Sequence, residues 1–164
     1  MRVIGVDPGI DRMGYAVLEA NKSVLIPISS GLITTERSNK NPERLSQLFD
    51  DLTGLIERYK PEAIVTETLF FAKNTKTACK ISEVRGIIQL VSAKYKLEYF
   101  EFSPLQIKMA TTGYGKATKK QLKNAVKILL NLSEIEGTDD VIDAIAISIC
   151  GANSLLYKRK ISNI

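Results

Sequence analysis

The sequence predicts a single α/β domain built on a five-stranded mixed sheet flanked by helices. The first third alternates short apolar runs with turn-forming residues, and the remainder alternates helical and strand patterns. The chain has 164 residues, of which 45% are hydrophobic and 25% are charged, as is typical of one soluble domain. It contains no repeat, low-complexity tract or linker, so we expect one domain over residues 1–164.

Three short strands are predicted near the N-terminus. They cover Val3–Val6, Gly14–Leu18 and Val24–Thr34. The turn formers Pro8 and Gly9 separate the first two strands, and a polar break at residues 21–22 separates the next two. Because no helix intervenes, these strands are expected to form an antiparallel meander.

The first helix is predicted by an apolar repeat of 3.6 residues. Asn41 is expected to cap it, Pro42 suits its first position, and the repeat continues to about Tyr59. Its apolar positions are Leu45, Leu48, Phe49, Leu52, Leu55, Ile56 and Tyr59. Pro61 ends the helix, and a fourth strand at Ala63–Glu67 follows.

The rest of the chain is predicted to contain four helices and one more strand. Helical periodicity extends from Ala78 to Tyr95, and a strand with aromatic residues follows at Leu97–Phe102. Two further helices are expected at Pro104–Ala110 and Thr118–Leu130, and Thr138 caps a last helix that runs to about Leu156. The fourth and fifth strands are therefore joined to the sheet by crossover helices.

The absence of histidine limits the possible chemistry. It excludes Ser-His-Asp triads, imidazole general bases and zinc sites that contain histidine. If the protein is an enzyme, carboxylates are the expected chemical groups. Asp7 ends the first strand before Pro8, and Glu67 ends the fourth. If those strands are neighbours, both carboxylates emerge at one sheet edge, where open α/β sheets place their sites.

The last helix adds two more carboxylates. Asp140 and Asp143 are three residues apart and share one helix face. Asp143 lies in the apolar segment 141–147, where an unpaired carboxylate is costly. Asp139 is expected to be structural, because acidic residues are favoured in the first turn of a helix.

The carboxylates at the strand ends also have structural interpretations. Asp7 would then be a turn residue and Glu67 a solvated strand end. Four converging acids without a nearby Arg or Lys in sequence would repel one another, so we expect Mg²⁺ or Mn²⁺, which prefer hard oxygen ligands. Two such ions could activate water and stabilise the leaving oxygen of a phosphodiester.

Two segments contain lysine but no acidic residue. The net charge of +5, from 23 Lys and Arg against 18 Asp and Glu, permits a polyanionic partner. The first segment carries Lys73, Lys76 and Lys80 at helical spacing, and the second carries Lys108, Lys116, Lys119, Lys120, Lys123 and Lys127. The last five are expected on one helix face, opposite Leu122, Val126 and Leu129. Solvated helix faces explain either segment alone, whereas both together favour contacts to a phosphate backbone.

Two aromatic residues are candidates for contact with nucleic acid. Phe70 and Phe71 follow shortly after Glu67. They are either core residues, or one of them stacks on an unpaired base.

Cys79 and Cys150 belong to no CxxC pair and are both expected to be buried in a reducing cytoplasm. The N-terminus lacks a signal-peptide pattern, so we expect a soluble cytoplasmic protein with no membrane partner.

Three segments resemble the RuvC Holliday junction resolvases. They are GVDPGIDRMGYAV at residues 5–17, ETLFFAKN at 67–74 and DVIDAIA at 140–146. The resemblance implies an RNase H-like fold, a homodimer, and Mg²⁺-dependent symmetric nicking of two like-polarity strands of a four-way DNA junction. It also implies branch-migration proteins, RuvA and RuvB, as partners.

The resemblance assigns roles by motif position. Asp7, Glu67, Asp140 and Asp143 correspond to the metal-binding catalytic acids of the family. Some members have His at or near the last of these positions, so this chain implies an all-carboxylate variant. The resemblance implies that Phe70, Lys108 and Lys119 contact DNA. The two basic segments add Lys73, Lys76, Lys116, Lys120 and Lys123 as candidate DNA-contacting residues.

Three alternatives remain to be weighed. An RNase H-like nuclease acting on RNA or an RNA:DNA hybrid would use the same acids. A non-catalytic junction-binding protein is disfavoured, because a binder gains nothing from carboxylates that face phosphates. An actin-like phosphotransferase is disfavoured because 164 residues leave no room for its second domain.

Overall fold

Five strands form one sheet in a computed structural model, which describes residues 1–21, 24–68 and 75–162 except the side chains of 75–77 and 162. The strands are β1 (Arg2–Asp7), β2 (Arg12–Asn21), β3 (Val24–Thr34), β4 (Ala63–Glu67) and β5 (Glu98–Phe102). Their order across the sheet is β3-β2-β1-β4-β5. The predicted five-stranded sheet is therefore confirmed.

The sheet is mixed, as the sequence predicted. β1, β2 and β3 form an antiparallel meander, whereas β4 runs parallel to β1 and β5 runs parallel to β4. The register pairs Val6 with Thr66. Because Asp7 and Glu67 are the next residues of these parallel strands, both lie at the same edge of the sheet.

Five helices cover the two faces of the sheet. They are α1 (Asn41–Tyr59), α2 (Thr75–Lys94), α3 (Pro104–Thr112), α4 (Lys119–Leu129) and α5 (Asp139–Ser162). On one face, α1 and α2 bury residues such as Leu48 and Ile88 against Ile4 and Ile64. On the other face, α5 packs directly on the sheet, and α3 and α4 pack beside it.

Glycine lets α5 approach the sheet closely. A Cβ atom at Gly5 would lie 2.5 Å from the carbonyl oxygen of Ala144, and one at Gly14 would lie 2.1 Å from that of Asp140. Real Cβ contacts are not this short, so both positions require glycine. The Gly14 contact holds the first turn of α5 beside the end of β1 that carries Asp7.

Several helix ends differ from the prediction, among them the start of α1 and the end of α5. Lys40 rather than Asn41 is the N-cap of α1, so that Asn41 is the first helical residue. α5 continues beyond the predicted end near Leu156. Its last turns are held to the sheet by ion pairs from Lys158 to Glu98 and from Arg159 to Glu62, which the apolar periodicity could not indicate.

α5 is also the helix of the described residues that is both long and apolar enough to cross a membrane. An 18-residue window within its segment Asp139–Ile161 has a mean hydropathy of 1.3, but 67% of that window is buried within the fold. It is the central core helix.

The two cysteines lie in different environments. Cys150 is buried on α5, as expected, whereas the prediction for Cys79 is wrong because its side chain is exposed on α2. Helix geometry explains the difference, since Cys79 is turned about 100° from its buried neighbour Ala78.

Candidate active site

Asp7 and Glu67 form one side of the candidate site. Both are partly buried where β1 and β4 end, and Pro8 turns the chain away directly after Asp7. They line an open cleft of about 230 Å³ together with Thr68, Arg85 and other residues of the sheet edge. The hydroxyl of Thr68 is buried in this cleft wall and has no hydrogen-bond partner among the described residues.

The first turns of α5 bring two further acids to this edge. Asp140 and Asp143 lie on the side of α5 that faces the end of β1, and both side chains are partly buried. All four carboxylates that the sequence singled out are therefore gathered at one sheet edge, as their mutual electrostatic effects also require.

Among the four acids, Asp7 has the most strongly shifted pKa. Burial is the largest cause that raises the pKa of Asp7 from 3.8 to about 7. The next causes are the negative charges of Asp143, Glu67 and Asp140. Lys119 lowers the pKa but does not offset them. Asp7 thus carries a proton much of the time near neutral pH in the metal-free protein.

The pKa values of two other acids are raised in the same way. Burial is the main cause for both Glu67 and Asp143, and the charge of Asp143 adds to the effect on Glu67. Lys108 lowers the pKa of each, which places this predicted basic residue close to the acids. The site is therefore short of positive charge.

Cations that are not close to the acids in sequence lie beside them in the fold. Nε of Arg12 lies 3.2 Å from Oδ2 of Asp140, and Nζ of Lys119 lies 2.8 Å from Oδ2 of Asp139. The sequence did not reveal this contact, because Arg12 and Asp140 are far apart along the chain and come together only when β2 packs on α5. The partner of Asp139 is thus Lys119, a contact that the sequence did not predict.

The donor set fits a divalent metal ion. Carboxylate oxygens are the ligands that Mg²⁺ and Mn²⁺ prefer, and a cation would relieve the repulsion that raises the pKa of Asp7. In the described ranges 1–21, 24–68 and 75–162, no three acidic, His or Cys side chains are already arranged as a metal site. The acids thus provide the ligand chemistry, and their side chains would have to turn towards a bound ion.

A buried arginine that the sequence did not reveal fixes the turn after Asp7. The guanidinium of Arg44 on α1 donates to Oδ1 of Asp11 and, at 2.8 Å, to the hydroxyl of Thr35. That hydroxyl donates in turn to the carbonyl of Ile10 at 2.6 Å. The turn that carries Asp7 is thereby tied to α1 and to the end of β3. The sequence did not predict this contact, because a single arginine on the apolar face of α1 does not indicate which residue it will bind.

A second arginine fixes the backbone of Glu67. Arg85 on α2 donates to the carbonyl oxygen of Glu67 and pairs with Glu101 at 2.6 Å. Glu101 also accepts a hydrogen bond from the hydroxyl of Tyr99 on the same strand. Residues of α2 and β5 therefore hold β4 at the point where its carboxylate emerges, which the sequence could not indicate.

Three predicted lysines line a groove beside the α5 acids. Lys119, Lys120 and Lys123 surround a cleft of about 210 Å³ that Asp143 and Asp139 also line. Lys119 and Lys120 are exposed, and Lys123 is partly exposed. On α4, these three lysines form the positively charged surface nearest to the acids of α5.

The prediction of a single five-lysine face is wrong in part. Lys116 is exposed but precedes the first residue of α4, so it is not on that helix face. Lys127 pairs with Glu134 at 3.2 Å. Leu129 is 45% exposed, and the buried apolar side consists of Leu122 and Val126 with Leu130 after the helix.

Three predicted positions cannot be placed. Phe70 and Lys73 lie outside the described residues, as does the side chain of Lys76. Their assignment remains a prediction from the sequence.

Comparison of the sequence with models of known families shows which family this chain belongs to. A family model described as crossover junction endodeoxyribonuclease RuvC matches residues 3–151. The chain belongs to the RuvC family. The match includes all four acids and both lysine-containing segments.

Relatives in the RuvC family cover nearly the whole chain. Crossover junction endodeoxyribonuclease RuvC of Halothermothrix orenii is 42% identical over 160 residues, covering 98% of this chain and 97% of the relative. The RuvC of Caldanaerobacter subterraneus subsp. tengcongensis is 45% identical over 154 residues, covering 94% and 93%.

Solved RuvC structures have the same fold. Thermus thermophilus RuvC superposes with a TM-score of 0.86 at 26% identity, covering 98% of this chain and 96% of that one. The T. thermophilus RuvC in complex with Holliday junction substrate superposes with a TM-score of 0.90 at 24% identity, covering 96% of both chains. The RNase H-like α/β fold implied by the resemblance is confirmed.

Proposed function

We propose that this RuvC-family protein is a structure-selective DNA endonuclease that resolves four-way (Holliday) junctions by nicking two strands of like polarity, in DNA recombination and repair. The observation that carries the proposal is the gathering of Asp7, Glu67, Asp140 and Asp143 at one sheet edge in a chain of this family. Acids so placed repel each other and a DNA phosphate unless a cation is bound, which a protein that only binds DNA would avoid.

The four acids are proposed to hold divalent metal, Mg²⁺ with Mn²⁺ able to substitute, in two sites. Bound metal would polarise the scissile phosphodiester and stabilise its leaving oxygen. Asp7 is the central ligand in this assignment, because its pKa responds to all three other carboxylates. Arg44 and Arg85 keep the turn of Asp7 and the backbone of Glu67 in place for this task.

The basic groups are proposed to hold the DNA. Lys119, Lys120 and Lys123 surround a groove next to Asp143, and Lys108 is close enough to affect the pKa of Glu67. A phosphate backbone bound by these lysines would pass directly over the acids. Lys73, Lys76, Lys116 and the stacking residue Phe70 belong to the same proposal on sequence alone.

A homodimer is part of the proposal. Symmetric nicking needs two catalytic centres, and this chain, which we propose folds as one domain over residues 1–164, carries one set of four acids. Cooperation with the branch-migration proteins RuvA and RuvB and a cytoplasmic location without membrane contact rest on family membership. Sedimentation of the protein with and without junction DNA would measure the oligomeric state.

The decisive experiment compares Asp7→Asn with a matched control. The control is Asp50→Asn, which removes the same charge from an exposed position on α1. A labelled mobile four-way junction is incubated with each protein in Mg²⁺, and both nicks are mapped. We expect Asp7→Asn to abolish nicking while junction binding persists, and Asp50→Asn to cut as the unmodified protein does. Wild-type cutting by Asp7→Asn would refute the site.

Substrate competition tests the remaining alternatives. Unlabelled junction, linear duplex and RNA:DNA hybrid are added separately to the nicking reaction. The proposal requires that junction DNA competes far better than the other two. Preferential inhibition by the hybrid would instead support an RNase H-like nuclease of different specificity, and binding without any nick in Mg²⁺ or Mn²⁺ would support a junction-binding protein.

A further inference from the structure

We propose that Arg12 is a built-in counter-ion that a divalent metal must displace from Asp140, so that this chain binds metal more weakly than its four acids would by themselves. The inference rests on the proposed function, because it assumes that these acids are the metal site. It assigns a regulating role to a residue outside the acid set.

Arg12 reaches the acids from the start of β2. Its Nε lies 3.2 Å from Oδ2 of Asp140, and the same oxygen accepts a hydrogen bond from the hydroxyl of Thr138 at 3.3 Å. The Arg12 side chain is 56% exposed, whereas that of Asp140 is 27% exposed. The arginine is therefore the more exposed partner of the pair.

The acid next to Arg12 in the chain has other partners. The adjacent acid, Asp11, is paired with Arg37 at 2.7 Å and with the buried Arg44. Arg12 points instead towards Asp140, whose charge raises the pKa of both Asp7 and Asp143. In the metal-free protein, Arg12 is thus the counter-ion of Asp140.

The same geometry makes Arg12 and a metal ion competitors. Both are cations, and both would use the carboxylate of Asp140, so a bound ion repels the guanidinium. An open cleft of about 340 Å³ adjoins the pair and offers the Arg12 side chain another position, beside Pro8 and Ile81. Lys80 also lines that cleft, so Arg12 would move towards another cation.

The expected size of the effect follows from exposure. Exposed ion pairs contribute little to stability, which corresponds to at most about a fivefold change in an equilibrium constant. Removal of Arg12 should therefore strengthen metal binding by about two- to fivefold. Added salt should reduce the difference, because it screens the charge of an exposed arginine.

The test measures Mn²⁺ binding to the full chain without DNA, from the paramagnetic resonance signal of the unbound ion. Arg12→Gln is compared with Arg37→Gln, which removes the same charge from a neighbouring, 82% exposed arginine that pairs with Asp11. We expect Arg12→Gln to lower the Mn²⁺ dissociation constant about two- to fivefold and Arg37→Gln to leave it nearly unchanged. Without metal, Arg12→Gln should also unfold at a slightly lower temperature.

Each outcome decides between the inference and its premise. If Arg12→Gln binds Mn²⁺ no more tightly than Arg37→Gln or the unmodified chain, the inference is overturned. A parallel titration of Asp7→Asn tests the premise: undiminished Mn²⁺ binding there would overturn the proposed metal site and this inference with it. Arg12→Lys, which keeps the charge but loses Nε, is the second variant and should give an intermediate affinity.

Discussion

Replacement of Asp7 by asparagine is expected to stabilise the metal-free protein at pH 8 although it removes activity. The carboxylate of Asp7 is ionised at that pH in the unfolded chain, where its pKa is near 3.8, but folding raises this pKa to about 7. Above pH 7 the fold therefore bears the cost of burying this charge beside Asp143, Glu67 and Asp140. Asparagine has nearly the same shape and no charge.

The size of this cost follows from the change in pKa. At 1.36 kcal/mol per pH unit, a rise from 3.8 to about 7 corresponds to about 4 kcal/mol at pH 8. Burial of the new amide without a full set of hydrogen bonds offsets about 1–3 kcal/mol of this gain. A net stabilisation of about 1–3 kcal/mol is expected, which is roughly 2–10 °C in melting temperature for a domain of this size.

The sign of the pH dependence separates this effect from other consequences of the substitution. Because the folded pKa is raised, the unfavourable contribution of Asp7 grows as pH rises from about 4 to 7, and it vanishes below pH 4. Thermal unfolding of both proteins is measured in EDTA from pH 4 to 8. The advantage of Asp7→Asn should increase with pH across this range. A constant or shrinking difference would refute the assignment of a raised pKa to Asp7.

Two further predictions concern how α5 and α4 serve the site. Gly14→Ala should destabilise the fold by about 1–3 kcal/mol in urea unfolding and reduce nicking, because its Cβ would meet the Asp140 carbonyl at 2.1 Å. Gly54→Ala on α1 is the control; it meets nothing within 4 Å and should be neutral or slightly stabilising, so equal losses would contradict the close-packing argument. Lys119→Gln should lower junction affinity and the salt slope by about 1, whereas Lys127→Gln, whose lysine does not line the groove beside Asp143, should leave the slope unchanged. Identical slopes for the two variants would remove Lys119 from the DNA-binding surface.

The sequence by itself determined the elements and the chemistry of this protein. Apolar repeats of two and 3.6 residues located the five strands and five helices, since each element must bury one face. Asp7 and Glu67 were placed at strand ends directly, and their meeting at one sheet edge followed from one assumption, that β1 and β4 are neighbours, which the register confirms. The lack of histidine left carboxylates as the reactive groups.

Only the tertiary structure decided how the acids are compensated and held. Arg12 meets Asp140, and Arg85 meets the carbonyl of Glu67, across contacts between elements that are remote along the chain. Local periodicity records which face of an element is buried, but not which charged side chain of another element it will meet. The raised pKa of Asp7 likewise comes from burial and from the charges of three other acids, which surround it only in the folded chain.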